Sequence, residues 1–190
     1  MLRSIFIALC GLVLLVALPS CDDVTDDGSF SANVIAAGSS FALSGDAYFA
    51  EDRSGAEPTF VLLLTPNDLD DFDDPEFENI VAVVIRRTGQ RPNPGLTVIT
   101  DPQDDGIATA FYLSAPSRQG TATLIADSGT LTIDEFEDDE LKGTFSFTGL
   151  LLDPNLENGS TTASVNGRFE AAEISGAQLP DLASSLPTGS

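Results

Sequence analysis

The sequence predicts an all-β domain, an antiparallel β-sandwich or partly closed barrel of about nine or ten strands. Three observations predict it. Short segments such as FSANV (30–34) and SFALSGDAYFA (40–50) alternate apolar and polar residues, the period-two pattern of a strand with one face in and one out. TFVLLLT (59–65) and IVAVVIRR (80–87) are instead continuous apolar runs rich in β-branched residues, as expected of strands covered on both faces or lying centrally. No segment of ten or more residues carries a capped helical stripe, a short turn at 66–69 apart.

In chain order, residues 1–4 form a short n-region with one positive charge, and 5–18 (IFIALCGLVLLVAL) an apolar h-region. Its about 14 residues fall short of the roughly 20 that span a bilayer, so 1–20 reads as a cleaved signal helix. Residues 21–29 follow as a flexible acidic tether. The β domain occupies 30–174, where LTVIT (96–100) and IATAFYLSA (107–115) continue the strand series. Its last third reads as a hairpin, Leu131, Ile133 and Phe136 against Leu141, Phe145 and Phe147, joined through 137–140. A Pro- and Asn-Gly-bearing connection (152–160) leads to a third strand with Ala163, Val165 and Phe169. Gly167 interrupts that strand and is expected at a bulge or bend. The Ser-, Pro- and Gly-rich tail 175–190 is expected to be disordered.

Cys21 is the one thiol after the leader, so the mature domain has no internal disulfide. The stretch Leu18-Pro19-Ser20-Cys21 resembles the bacterial lipobox, which implies acylation of Cys21 and its becoming the mature N-terminus. Each buried acyl methylene adds about 0.8 kcal/mol of membrane affinity, and the modification supplies more than one chain. The segments SGTLTIDEFEDDELKGTFSFTG and ASVNGRFEAAEI also resemble the C-terminal block of a set of uncharacterised bacterial lipoproteins. The matching residues are Gly129, Gly143, Thr144, Phe145, Ser146, Phe147, Asn166, Gly167 and Phe169. FALSGDAYF and VIRRTGQRPNPGLTVI fit the same plan upstream, and the likeness covers most of 30–174. It implies an exported all-β lipoprotein domain whose strand opens at Gly129, and it carries over no catalytic residue. A place in the cell envelope follows, the outer membrane preferred over the inner because such lipoproteins mostly lie there.

The formal charge is −22, with 30 acidic residues against eight Lys and Arg. Nucleic acid is thereby excluded as a partner, and so is polybasic docking on anionic lipid. Such a surface holds hydration, with salt screening its self-repulsion. His is absent, which removes the ordinary triad, the His base and His-ligated zinc. Phosphate-cradling Gly motifs are missing too. Paired carboxylates remain as a hydrolase alternative, but among 30 acids some pair falls at a suitable separation by chance, so the chain is read as non-enzymatic. The expected function is a membrane-anchored binding or structural module with an envelope protein or glycan as partner. No cofactor is expected beyond calcium, which takes six to eight oxygens. The acidic segment PNDLDDFDDPEFEN (66–79) offers Asp68, Asp70, Asp71, Asp73, Asp74 and Glu76, with Asn67 beside them, for calcium-dependent adhesion. Its spacing is not that of an EF-hand, and the plain reading is solvated surface. Arg86, Arg87 and Arg91 form the one basic cluster and are expected in ion pairs worth little.

Thermal unfolding of the full chain separates the two readings of the acidic segment. A native-state calcium site raises Tm with calcium at constant ionic strength, and replacing Asp70, Asp71, Asp73 and Asp74 by Ala removes the rise. Screening alone makes Tm follow ionic strength whatever the ion.

Overall fold

The computed structural model describes residues 28–53, 58–69, 79–89, 93–104, 108–116, 122–137, 139–156 and 158–178. Nine strands follow in order: β1 (Gly28–Ala36), β2 (Ser39–Asp52), β3 (Thr59–Thr65), β4 (Asn79–Thr88), β5 (Gly95–Thr100), β6 (Ala108–Pro116), β7 (Ala122–Glu137), β8 (Glu140–Leu152) and β9 (Ser160–Glu173). Eight of them close into an antiparallel barrel in the order β1-β2-β3-β4-β6-β7-β8-β9, and β9 returns to β1. Closure, rather than the sandwich alternative, leaves the eight strands without an edge.

β5 is the extra strand. β8 runs along the whole of one edge of β7, while the other edge is shared end to end. There β6 pairs with Ala122–Ile125, and β5 pairs with Ser128–Ile133. The register slips between Ala126 and Ser128, so β7 carries a bulge where it changes neighbours, as bulges re-aim a strand. A second slip separates Ile133 from Glu135. The strand thus begins at Ala122 instead of opening at Gly129, and the bulges lie in β7. Gly167 is not one of them: it keeps register with Phe145 on β8 and Ala32 on β1.

The barrel is strongly staggered. Stepping across the ladders from Gly28 passes Ala47, Leu64, Val83, Tyr112, Leu124, Leu151 and Thr161, and regains β1 about ten residues higher. A shear of that size in eight strands tilts them by roughly 40° and leaves an interior that side chains can fill. They do fill it. Phe49, Phe60 and Phe147 are 1% exposed, and Val34, Leu62, Leu64, Val83, Ile85, Leu124 and Leu131 are 0% exposed. A hollow wide enough for a ligand would appear as exposed surface on these walls.

Interior rings are accommodated by glycines opposite them. Phe30 faces Gly45, Phe145 faces Gly167, Phe147 faces Gly129, and Phe169 faces Gly143 across their ladders. A Cβ on Gly143 would lie 2.9 Å from the Phe169 ring, and one on Gly167 would lie 2.8 Å from the Phe145 ring and 2.5 Å from the Ser31 carbonyl. With those Cβ atoms missing, Phe145 packs against Phe147 and Phe169 at centroid distances of 6.2 and 6.4 Å, contacts worth about 0.5–1.5 kcal/mol each beyond area burial. At the end where the chain enters, Phe49 packs on Phe60 and meets the edge of Phe136 at 5.7 Å. There β2 runs on past β1 and pairs in parallel with Ala172 and Glu173, and the Ile174 N–H donates to the Phe49 carbonyl at 2.9 Å. Gly176–Gln178 then form a 3₁₀ turn beside β2.

The two continuous apolar runs are covered on both faces, as their sequence requires. β3 is buried from Phe60 to Thr65, and Val61, Leu63, Ala82 and Val84 form a second cluster outside the barrel with Leu69 against it. Phe111 and Leu113 form a third with Ile125. The β1–β2 connection is a two-residue turn of Ala37 and Gly38 at φ 50° and 78°, a conformation in which a side chain costs about 1 kcal/mol or more.

Gly143→Ala is expected to destabilise the fold by about 1–3 kcal/mol through overpacking, whereas outward Ser146→Ala stays within about 0.5 kcal/mol; equal urea midpoints would refute the ring-and-glycine account. Ala37→Asn, which completes an Asn-Gly turn, is expected to add about 0.5–1 kcal/mol by the same measurement.

Candidate functional site

Few of the residues singled out in the sequence fall among the described residues. Asp68 stands exposed just beyond β3. Asn67 turns back on the strand end: its N–H donates to Thr65 Oγ1 at 3.0 Å, and that hydroxyl donates to Asn67 Oδ1 at 3.3 Å. Asp70, Asp71, Asp73, Asp74 and Glu76 lie outside the described residues, as do Cys21 and Arg91. Among the described residues, no three His, Cys, Asp or Glu are grouped to hold a metal ion. Arg86 sits half-buried on β4 with its Nε enclosed and without a hydrogen bond. The described acidic turn at 101–104 is capped internally, with the Gln103 N–H donating to Asp101 Oδ1 at 2.8 Å.

The surface that the fold does assemble is the outer wall of β7, β8, β9 and β1. Strand alternation sends apolar residues inward there and leaves short polar residues outside. Ladder register sets them in rows: Ser128, Thr148 and Ser164; Thr130, Ser146, Asn166 and Asn33; Thr132, Thr144, Arg168 and Ser31. Ser128 and Thr148 share a hydrogen bond at 3.2 Å. No carboxylate stands in these rows, although the chain carries 30. In these rows an apolar inside and a hydroxyl- and amide-lined outside invert the layout of a bilayer-spanning barrel, whose outer band is apolar.

Within the wall, β1 and β9 frame a shallow groove of about 430 Å³ lined by Ser31, Asn33, Asn166 and Arg168, with Ala32, Phe145 and Gly167 beneath. Asn33 stands directly opposite Asn166, and Ser31 opposite Arg168. The Arg168 Nε–H donates to Ser31 Oγ at 3.2 Å, which turns the guanidinium along the wall. Among the described residues no carboxylate pairs with it. The nearest acid along its strand, Glu170, is committed to Lys142 at 3.0 Å, and Lys142 also holds Glu140 at 3.0 Å. Lys142 is thus an ion-paired strand residue that bridges the two acids at the lower border of the wall.

That border titrates. A hydrogen bond shared with Glu140 and then the Lys142 ammonium hold the Glu170 carboxyl below the usual carboxylate range, and the same two acids, Glu170 first, push the Lys142 amine up. Folding lowers the Glu170 pKa, so its contribution to stability is complete above the unfolded value near 4.5 and is lost as pH falls through the folded one. Exposure of the pair to solvent keeps that contribution small.

Sequence reading passed over Ser31, Asn33 and Arg168 because each is ordinary by itself, and took Asn166 only as part of a resemblance. The available signal was the outward set of three neighbouring segments, 28–36, 141–152 and 160–169, none of which contains an acid.

Lys142→Met is expected to raise the Glu170 titration midpoint, followed by carboxyl NMR; an unmoved midpoint would break the assignment. No family model, curated protein or solved structure matches this chain.

Proposed function

We propose that the chain is a cell-envelope lipoprotein, anchored through acylated Cys21, whose barrel is a non-enzymatic binding module that presents the wall of β7, β8, β9 and β1 to an envelope partner. The observation that carries the binding role is the contrast between a filled interior and an outer wall whose three ordered rows hold no acid. A barrel whose centre is packed with Phe, Leu and Val offers its chemistry on the outside. In a chain of charge −22, a partner meets no carboxylate to desolvate in the three rows of this wall.

The leader and the lipobox-like 18–21 support the anchor. Gly28 is seven residues past Cys21, a tether of at most about 25 Å at full extension. β1 enters at the end of the barrel where β9 finishes, so the wall faces sideways from the anchor and is open to a neighbour in the same envelope layer.

Cys21→Ala in the full chain is expected to abolish palmitate labelling and move the protein from the membrane to the soluble fraction; retention in the membrane sinks the anchor. A photo-crosslinker at position 146 is expected to give one defined adduct in cells, absent with the crosslinker at exposed position 88 and lost on adding Thr130→Glu. Adducts indifferent to position would overturn the wall as the binding surface.

A further inference from the structure

Three places in the fold invite a ligand. The strip of β5 carrying Leu96 and Val98 is exposed, but nothing beside it identifies what would cover it. The acidic segment after β3 lies almost wholly outside the described residues. The groove between β1 and β9 combines independent features that point to one ligand chemistry.

Resting on the binding role assigned above, we infer that this groove is a carboxylate subsite for an acidic glycan, with Arg168 as the anion-binding group and Asn33 and Asn166 as flanking amide donors. Three observations carry the inference. The guanidinium is outward-facing, and its Nε is fixed on Ser31 at 3.2 Å, which leaves the terminal nitrogens for an external acceptor. A guanidinium fork matches a carboxylate in two parallel hydrogen bonds. Second, the acids that would otherwise quench it are occupied: Glu170 and Glu140 both close on Lys142. A cation that no carboxylate pairs with among the described residues, set in rows without acid in a chain with 30 acids, is the local charge complement of an anion.

Third, the rest of the patch speaks for a sugar acid over an acidic peptide. The side chains around the guanidinium end in amides and hydroxyls, among them Thr144 and Ser146 in the adjoining rows. These donate to and accept from the ring hydroxyls of a uronic acid. A peptide anchored by its carboxylate needs apolar sockets for its side chains, and the rows through Arg168 and Asn166 supply none, Ile35 standing one row away opposite Ser164 and Leu150 a row beyond that.

Long-range repulsion from the net charge acts against any anion, but it is screened within a few ångströms at high salt, whereas a contact pair is not. The test is therefore calorimetric titration of the full chain in detergent, in about 0.5 M NaCl, with oligogalacturonate, a neutral oligosaccharide of equal length and an oligo-Glu peptide. Selective binding of oligogalacturonate is expected. Arg168→Gln is expected to weaken it by about tenfold to a hundredfold, the loss of a charge-assisted pair. Asn166→Asp, which sets a carboxylate in the groove, is expected to abolish binding and provides a second variant should the first fail to fold. Arg53→Gln, remote just past the end of β2 and paired with Glu51 at 2.8 Å, is expected to leave binding unchanged. Equal binding of the neutral sugar, equal binding of oligo-Glu, indifference to Arg168→Gln, or no binding at all each overturns the carboxylate subsite. The position-146 crosslink is independent of these outcomes and decides the wall reading separately.

Discussion

The interior of this barrel is narrow, and it can hold its phenylalanines because glycines stand opposite them. Four ladder pairs, Phe30 with Gly45, Phe145 with Gly167, Phe147 with Gly129 and Phe169 with Gly143, join a ring on one strand to a missing Cβ on the next. At Gly143 and Gly167 the empty Cβ site makes room for the opposing ring, and at Gly45 and Gly129 it lets backbone approach. These pairs span the β1–β2, β7–β8 and β8–β9 ladders and help to fix their registers. A slip of one residue would turn every ring outward and every hydroxyl inward.

The wall follows from the same alternation. Once inward positions on β8 are Leu141, Gly143, Phe145, Phe147 and Leu151, the outward ones are Lys142, Thr144, Ser146 and Thr148. The Ser31–Arg168 and Asn33–Asn166 pairs then meet because Ala32 faces Gly167 and Val34 faces Val165. The packing that fills the core thereby also aligns the polar groove, with one set of hydrogen-bonded ladders serving both faces.

Much of the fold was legible in the chain. The period-two segments, the doubly covered runs 59–65 and 80–87, and the hairpin turning between Glu137 and Glu140 are local features, and each appears where its sequence places it. What escaped is non-local. Alternation tells which face a residue takes and is silent on which strand lies beside it, so the closure of β9 onto β1 and the shared edge of β7 had no sequence signal. Gly167 reads as an interruption because glycine weakens a strand; in space it is the seat of Phe145. The turn at Ala37 was hidden for a different reason, since an Ala in a left-handed conformation contradicts its own preference. The groove was legible only as a lack of acid, which becomes visible once register sets three acid-free strands side by side.

The position of β1 has a mechanical consequence. This short strand carries the chain into the barrel at Gly28 and is hydrogen-bonded on both edges, to β2 and to β9. A pull on the preceding chain along the strand axis loads both ladders in shear, so many hydrogen bonds resist together instead of opening one after another. β2 and β9 are themselves joined beyond the entry point by their parallel contact and the Ile174–Phe49 hydrogen bond, which keeps the two flanking strands from spreading. The entry strand is gripped like a tenon between clamped boards, and that suits the anchorage proposed for the chain ahead of it.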